Sequence, residues 1–153
     1  MKSTVIKYGL YAFSASAILF VLGLLLGDSL SFGNQEIVGY TSIVLSLLFV
    51  FFGIKHFRDH QNNGVVSFGK ALGIGILISI FAGLGVAIID LIYTMFINPD
   101  FFAEYTQMLK DQGREDEIVE MGSGLMAMVM FLTVVVIGFI ISLLSALILQ
   151  RKN

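Results

Sequence analysis

Four long apolar runs, separated by short polar segments, constrain the fold of this chain more than any other feature. The runs cover approximately residues 8–27, 37–54, 71–97 and 124–149. A helix needs roughly 20 residues to cross the hydrocarbon core of a bilayer, and runs of this length exceed those of buried strands or core helices. Four crossings account for nearly all of the 153 residues. The sequence therefore predicts a single transmembrane domain, residues 1–153, that folds as an all-α four-helix bundle.

The N-terminal residues have some features of a signal peptide, because Lys2 and Lys7 precede an apolar run. That run is longer than the usual apolar region of about 7–15 residues, and no clean cleavage site follows it. We therefore expect an uncleaved first helix. The absence of cysteine excludes disulfides and thiolate chemistry.

The distribution of lysine and arginine predicts the orientation, because basic residues near helix ends tend to remain cytoplasmic. Seven lie in the N-terminal tail, the second loop and the C-terminal tail: Lys2, Lys7, Lys55, Arg58, Lys70, Arg151 and Lys152. The other two loops contain only Lys110 and Arg114, although they carry acidic residues from Asp28 and Glu36 to Glu120. This asymmetry predicts that both termini are cytoplasmic.

The third and fourth helices are longer than the membrane requires. The third is predicted over 68–97, with Ser67 as its N-cap, and Asn98 and Pro99 are predicted to end it and start another helix. Residues 99–121 then form an outer helical cap, a short amphipathic insertion between the third and fourth helices. Its apolar face consists of Phe101, Phe102, Tyr105, Met108 and Leu109.

Small residues recur at every fourth position of the third helix, and in lipid such residues mark faces where helix backbones approach closely. The series is Ala71, Gly75, Ser79, Gly83 and Ala87, and a shorter series on the fourth helix is Gly138, Ser142 and Ala146. We interpret both as helix-packing faces within the bundle. A contact between copies of the chain is the alternative.

Asp90 is the only acidic or basic residue inside the four apolar runs, which makes it, together with Tyr93, a candidate ligand- or ion-binding residue. It lies about 13 Å from the middle of its helix, near the edge of the hydrocarbon core. At that depth its carboxylate is expected to reach water or to bond Tyr93, Thr94 or Tyr40. An interfacial or structural role is therefore the main interpretation, and an ion or proton role is the alternative.

Methionine and histidine offer weaker candidates for metal binding. Six methionines cluster toward the outer end, where thioethers suit Cu(I) but more often serve as adaptable packing groups. His56 and His60 are four residues apart, but Asn62 and Gly64 follow at once, so the helix is not expected to extend reliably to His60. No third ligand is evident, and we predict no metal and no cofactor.

The chain contains no recognisable catalytic set. It lacks a nucleophile elbow, a Walker loop, a metalloprotease helix and a pair of intramembrane aspartates. Serines within the spans are expected to bond their own helix. We therefore expect a protein that is not an enzyme and that does not bind nucleic acid.

The organisation resembles a family of small bacterial inner-membrane proteins known as domain of unknown function 4199. Four segments carry the resemblance: residues 7–9, residues 52–55 with Arg58 and Asp59, residues 66–71, and residues 143–149 before Arg151. The resemblance implies a multi-pass protein of the bacterial inner membrane, with four helices and an outer helical insertion before the last span. It implies no activity and assigns no site residue.

These features predict an accessory or structural membrane component. Its expected partners are membrane lipid, a membrane protein or a second copy of the chain. The alternative function is a small transporter or channel that uses Asp90.

Overall fold

The computed structural model describes residues 1–27, 29 and 32–151, with the backbone alone at positions 32, 33, 35 and 36. In this part of the chain the long elements are helices: α1 (Lys2–Gly27), α2 (Phe32–His56), α3 (Phe68–Ile92), α4 (Phe101–Asp111) and α5 (Ser123–Leu149). Single π-helical turns, Phe57–Gln61 and Tyr93–Ile97, extend α2 and α3, and a 3-10 turn, Glu115–Glu117, follows α4. The orientation was predicted partly from charges that lie outside the described residues: Asp28, Lys152 and the side chain of Glu36.

Among the described residues, four helical stretches are long and apolar enough to cross a membrane: Lys2–Gly27, Ile37–Gln61, Phe68–Ile97 and Ser123–Leu149. α4, with 11 residues, is far too short to cross and lies between the third and fourth crossings. The structure thus confirms the predicted all-α membrane-type bundle with a helical insertion.

α3 is the central helix of the bundle. It packs along α1 on one side and α5 on the other, while α2 packs mainly against α1 and less extensively against α3 and α5. The most apolar stretch of the third crossing has 44% of its residues buried. The corresponding stretch of the first crossing has only 17% buried. α3 is therefore the most deeply buried of the four crossings, and α1 presents most of its surface outward.

The core is made of branched aliphatic side chains that point inward from α2, α3 and α5. Its fully buried members include Leu47, Val50, Ile74, Ile78 and Val134. The outward faces are equally apolar, as Ile18, Leu25, Val136 and Ile148 are all exposed. A helix that is apolar on all sides is typical of a membrane span, whose outer face contacts lipid.

The end of the bundle that carries Met1 and Arg151, here called the terminal end, is joined by polar contacts. The Thr4 hydroxyl donates to Gln61 Oε1 at 2.7 Å. The backbones of Val66 and Arg151 exchange two hydrogen bonds, at 3.1 and 2.9 Å. The loop between α2 and α3 is therefore tied to both the first and the last helix.

Of the two predicted helix caps, one is confirmed in position and the other is wrong. Ser67 occupies the N-cap position of α3, although its side chain makes no capping hydrogen bond. At the opposite end, here called the α4 end, Asp100 rather than Asn98 precedes α4. The reason is that Asn98 completes the preceding turn, since its N–H donates to the Tyr93 carbonyl at 2.8 Å, and its side chain donates to Glu104 Oε2 at 3.0 Å.

Candidate functional site

Asp90 faces the interior of the bundle. It continues a buried stripe on α3 and the π-helical turn that extends it, whose members are four residues apart: Ala82, Val86, Asp90 and Thr94. Asp90 is only 5% exposed, so its side chain is more deeply buried than its position near the edge of the hydrocarbon core suggested. The physical reason is the helical period, because positions four apart share one face and this face of α3 is covered by the rest of the bundle.

One carboxylate oxygen of Asp90 has no hydrogen-bond partner among the described residues. The Thr94 hydroxyl donates to the backbone carbonyl of Asp90 at 2.9 Å rather than to its side chain, and Asp90 Oδ2 is buried without a donor. Tyr93 instead packs its ring edge-on against Phe101, with centroids 5.9 Å apart. The expected hydrogen bond from Tyr93, Thr94 or Tyr40 is therefore not made to this oxygen. A buried acceptor without a donor lowers the stability of the folded protein.

A small cavity lies next to this stripe, between α1, α2 and α3. Its volume is about 10 Å³, and its wall contains three serines, Ser16, Ser42 and Ser46, together with Val86, one turn before Asp90. Sequence reasoning treated these serines only as groups that bond their own helix. The four-residue spacing of Ser42 and Ser46 predicts that they share one face of α2. Their proximity to Ser16 depends on how α1 packs on α2, which the spacing does not predict.

An apolar groove of about 330 Å³ opens beside the cavity. α1, α2 and α5 line it, and the lining includes Phe20, Gly39, Tyr40 and Met130. Phe20 and Gly39 also line the small cavity, so the two spaces adjoin each other. Since α1, α2 and α5 all belong to crossings, the groove opens on the lipid-facing surface.

The predicted packing residues of α3 mostly lie against α5. A Cβ added to Gly75 would meet the Ser142 side chain, and one added to Gly83 would lie 3.2 Å from the Phe131 carbonyl oxygen. Ser79 occupies the space over Gly138. Ala71 is fully buried and Ala87 is half-buried.

At the α4 end, α4 turns its apolar face inward. Leu109 is 1% exposed, and Phe101 contacts both Tyr93 and Tyr105 through its ring. An open cleft of about 510 Å³ separates α4 from residues 119–122, with Lys110 and Glu120 at its sides. Nearby, the hydrogen bond from Arg114 lowers the pKa of the Glu117 carboxyl.

The histidines at the terminal end lie closer together than predicted. A π-helical turn extends the helix through His60, and the rings of His56 and His60 stack with centroids 4.7 Å apart. Within the described residues, no three or more histidine, aspartate or glutamate side chains form a group able to hold a metal ion. Met130 packs against the core, whereas Met128 is exposed.

Comparison with known proteins gives one match. The model of a family described as a protein of unknown function (DUF4199) matches residues 7–151. No curated protein and no solved structure matches the chain. The matched range includes α2, α3, α4 and α5 entirely, and α1 from Lys7 onward. The chain therefore belongs to the DUF4199 family, as its resemblance in sequence indicated.

Proposed function

We propose that the chain is a non-enzymatic membrane component that binds a membrane protein, a second copy of itself or lipid through its α4 end. The observation that carries this proposal is an uncovered apolar extension of α3. The helical stretch Phe68–Ile97 has 30 residues and is about 45 Å long, against a hydrocarbon core of about 30 Å. On this extension Phe96 is 76% exposed and Ile97 is 68% exposed.

The exposure of these side chains is informative because α4 lies so close to them in the chain. Leu109 of α4 is buried, yet Met95, Phe96 and Ile97 remain exposed. Large exposed apolar patches mark interaction surfaces in proteins. The open cleft beside α4 adds polar groups to the same end, so a partner there would find both apolar and hydrogen-bonding contacts.

The proposal includes a location, the inner membrane of a bacterium, with both termini in the cytoplasm. It is supported by the charges at the terminal end, where Lys2, Lys7, Lys55 and Lys70 lie. Because the chain has no cysteine, single cysteines introduced at Ser3 and at Gly113 report each side without background. A membrane-impermeant thiol reagent applied to intact cells should label the Gly113→Cys variant and not the Ser3→Cys variant. The reverse labelling pattern would contradict the orientation.

A photo-crosslinking residue placed at position 96 tests the binding surface. The control places the same residue at Leu147, which is 51% exposed and lies near the terminal end of α5. Crosslinking in cells, followed by purification and mass spectrometry, should give a stoichiometric adduct at position 96 that is absent at position 147. A protein adduct, an adduct of twice the chain mass and a lipid adduct identify the three kinds of partner. Equal lipid adducts at both positions would overturn the proposal.

A second candidate function, a small transporter or channel, is favoured by one specific observation. Asp90 is buried inside the bundle, and its Oδ2 has no partner among the described residues. Intramembrane carboxylates that face a bundle interior are typical of ion and proton pathways. Cation or proton flux into proteoliposomes should then depend on Asp90 and be lost in Asp90→Asn. Flux that is absent, or unchanged in the variant, would exclude this candidate.

A further inference from the structure

A row of aromatic rings follows the line where α1 and α2 meet at the terminal end. From the end of the bundle inward, the rings belong to His60, His56, Tyr8, Tyr11 and Phe49, here called the aromatic seam. Successive ring centroids are 4.7, 5.4, 5.8 and 5.8 Å apart. On each helix the members are three, four or seven positions apart, so they share one helix face. The seam is therefore a continuous strip built by two helices.

The chemistry of the aromatic seam changes along its length. The rings of His56 and His60 carry nitrogen atoms, whereas the ring of Phe49 is a hydrocarbon. The apolar run of α1 begins at residue 8, and that of α2 ends at residue 54. Both histidines therefore lie beyond the hydrocarbon boundary, while Tyr11 and Phe49 lie within it. The strip extends from the headgroup layer into the layer of acyl chains.

Lys7 adds positive charge at the outer part of the seam. Its Nζ lies 5.8 Å from the centre of the Tyr8 ring, and both Lys7 and His60 lie within electrostatic range of His56. The Lys7 and His60 side chains are exposed and that of His56 is half-buried. A group in the headgroup layer can therefore approach all three side chains.

The protein itself supplies no partner for these polar groups. Among the described residues, Lys7 forms no ion pair, and the rings of His56 and His60 make no hydrogen bond. Asp59, the acid that precedes His60, is held by Arg58 through contacts of 2.6 and 3.2 Å. An anionic group could therefore bind here without displacing an internal ion pair.

We propose that the aromatic seam binds one anionic phospholipid, with the headgroup phosphate at Lys7, His56 and His60 and an acyl chain along Tyr11 and Phe49. Basic pockets between membrane helices on the cytoplasmic side bind anionic headgroups, and lysine is a common ligand of phosphate. The positive charge favours an acidic headgroup over a zwitterionic one. The apolar inner part of the seam favours a lipid over a soluble phosphate. The site lies at the end of the bundle opposite α4 and does not depend on partner binding there.

Native mass spectrometry of the full chain, released from detergent micelles, measures the selectivity of the site. The protein is titrated with dioleoyl phosphatidylglycerol or with dioleoyl phosphatidylcholine, which have the same acyl chains and differ in net charge. The first phosphatidylglycerol should bind about five-fold more tightly than the first phosphatidylcholine, the effect of one lysine near a headgroup. Equal binding of the two lipids would overturn the proposal.

A lysine variant and a matched control test whether the charge acts at this site. Lys7→Gln should weaken the binding of the first phosphatidylglycerol about five-fold and leave phosphatidylcholine unaffected. Lys70→Gln is the control, because Lys70 is an exposed lysine of the same end whose Nζ also lies 5.8 Å from an aromatic ring, that of Phe57. Lys70 belongs to α3 and lies outside the seam, so its variant should bind both lipids normally. Equal losses in the two variants would indicate a diffuse basic surface and overturn the site.

The acyl-chain contact is tested with Tyr11→Ala and with a soluble phosphate. Tyr11→Ala should weaken the binding of phosphatidylglycerol, whereas Tyr40→Ala, at a similarly exposed tyrosine near the other end of α2, should not. Glycerol 1-phosphate has the phosphate without the chains and should not displace the bound lipid. Displacement by glycerol 1-phosphate, together with unchanged binding in Tyr11→Ala, would identify a soluble phosphate as the ligand and overturn the assignment to lipid.

Discussion

Gly75 and Ser142 lie in direct contact where α3 crosses α5, since a Cβ on Gly75 would lie 2.7 Å from the Ser142 Cβ. The contact is repeated one turn away with the roles exchanged, because Ser79 fills the space over Gly138. Each serine donates to the carbonyl of the glycine on its own helix, Ser79 to Gly75 at 2.9 Å and Ser142 to Gly138 at 2.6 Å. The two helices therefore approach closely without leaving a hydroxyl proton unpaired.

Substituting Gly75 with valine should destabilise the bundle by about 1–3 kcal/mol, because the new side chain overlaps Ser142 and Val50 and forces α3 away from α5. Gly73→Val is the matched control, since a Cβ at Gly73 meets nothing within 4 Å. Thermal unfolding of the two variants in the same detergent measures the difference. Equal losses in both variants would mean that the close contact does not contribute to stability.

Replacing Asp90 with leucine should stabilise the protein by about 1–3 kcal/mol. The substitution removes a buried oxygen without a donor and supplies an apolar side chain to an apolar surrounding. Asp116→Leu, at an exposed position, should change stability by no more than about 0.5 kcal/mol. Chemical denaturation of both variants in detergent checks the comparison. A large loss of stability in Asp90→Leu would indicate that the carboxylate makes a favourable interaction in the native protein.

Truncating Leu109 to alanine should release α4 from the bundle, because Leu109 is the one residue of α4 that is fully covered in the described structure. The lost packing, about 2–5 kcal/mol, exceeds what so short a helix retains alone. Limited proteolysis should then cleave the variant between residues 98 and 122 faster than the wild type. Val119→Ala, at a 63% exposed position, should leave the cleavage rate unchanged. Cleavage at the wild-type rate in Leu109→Ala would show that other contacts hold α4.

The pH dependence of the Arg114–Glu117 pair follows from the lowered pKa of Glu117. Because the folded-state pKa is depressed, the pair's contribution is present above the usual glutamate pKa and is lost as the pH falls through the lowered value. The midpoint for Glu117, measured by NMR titration, should rise in Arg114→Gln. An unchanged midpoint would show that the 2.6 Å contact between their side chains does not persist in solution.

The fold followed from sequence because membrane crossing imposes a simple requirement. A span needs about 20 apolar residues whatever it packs against, so runs of that length predict the class and number of crossings without tertiary information. The helix ends are less predictable. α1 begins at Lys2 and α2 continues in a π turn to Gln61, because helices extend past the hydrocarbon into polar residues that an apolar run does not include.

The candidate site was only partly predictable for a different reason. Asp90 is identified from sequence because a lone acid in an apolar run is unusual, but its burial depends on the rotation of α3 between α1 and α5. The cavity required more, since Ser16 and Ser46 are 30 positions apart. Only the packing of α1 on α2 brings them together. A single sequence does not show how far one helix is shifted or rotated relative to the other.

The central place of α3 affects the order in which the protein assembles. During synthesis α1, α2 and α3 enter the membrane before α5 does. The surface of α3 around Gly75 and Gly83, which α5 covers in the folded protein, therefore first faces lipid or the insertion machinery. Helix insertion and helix association are separate stages in a bilayer, and here the second cannot finish until the last helix leaves the ribosome. A chain that stopped before α5 would leave Gly75 and Gly83 of α3 without the side chains of α5 that pack against them.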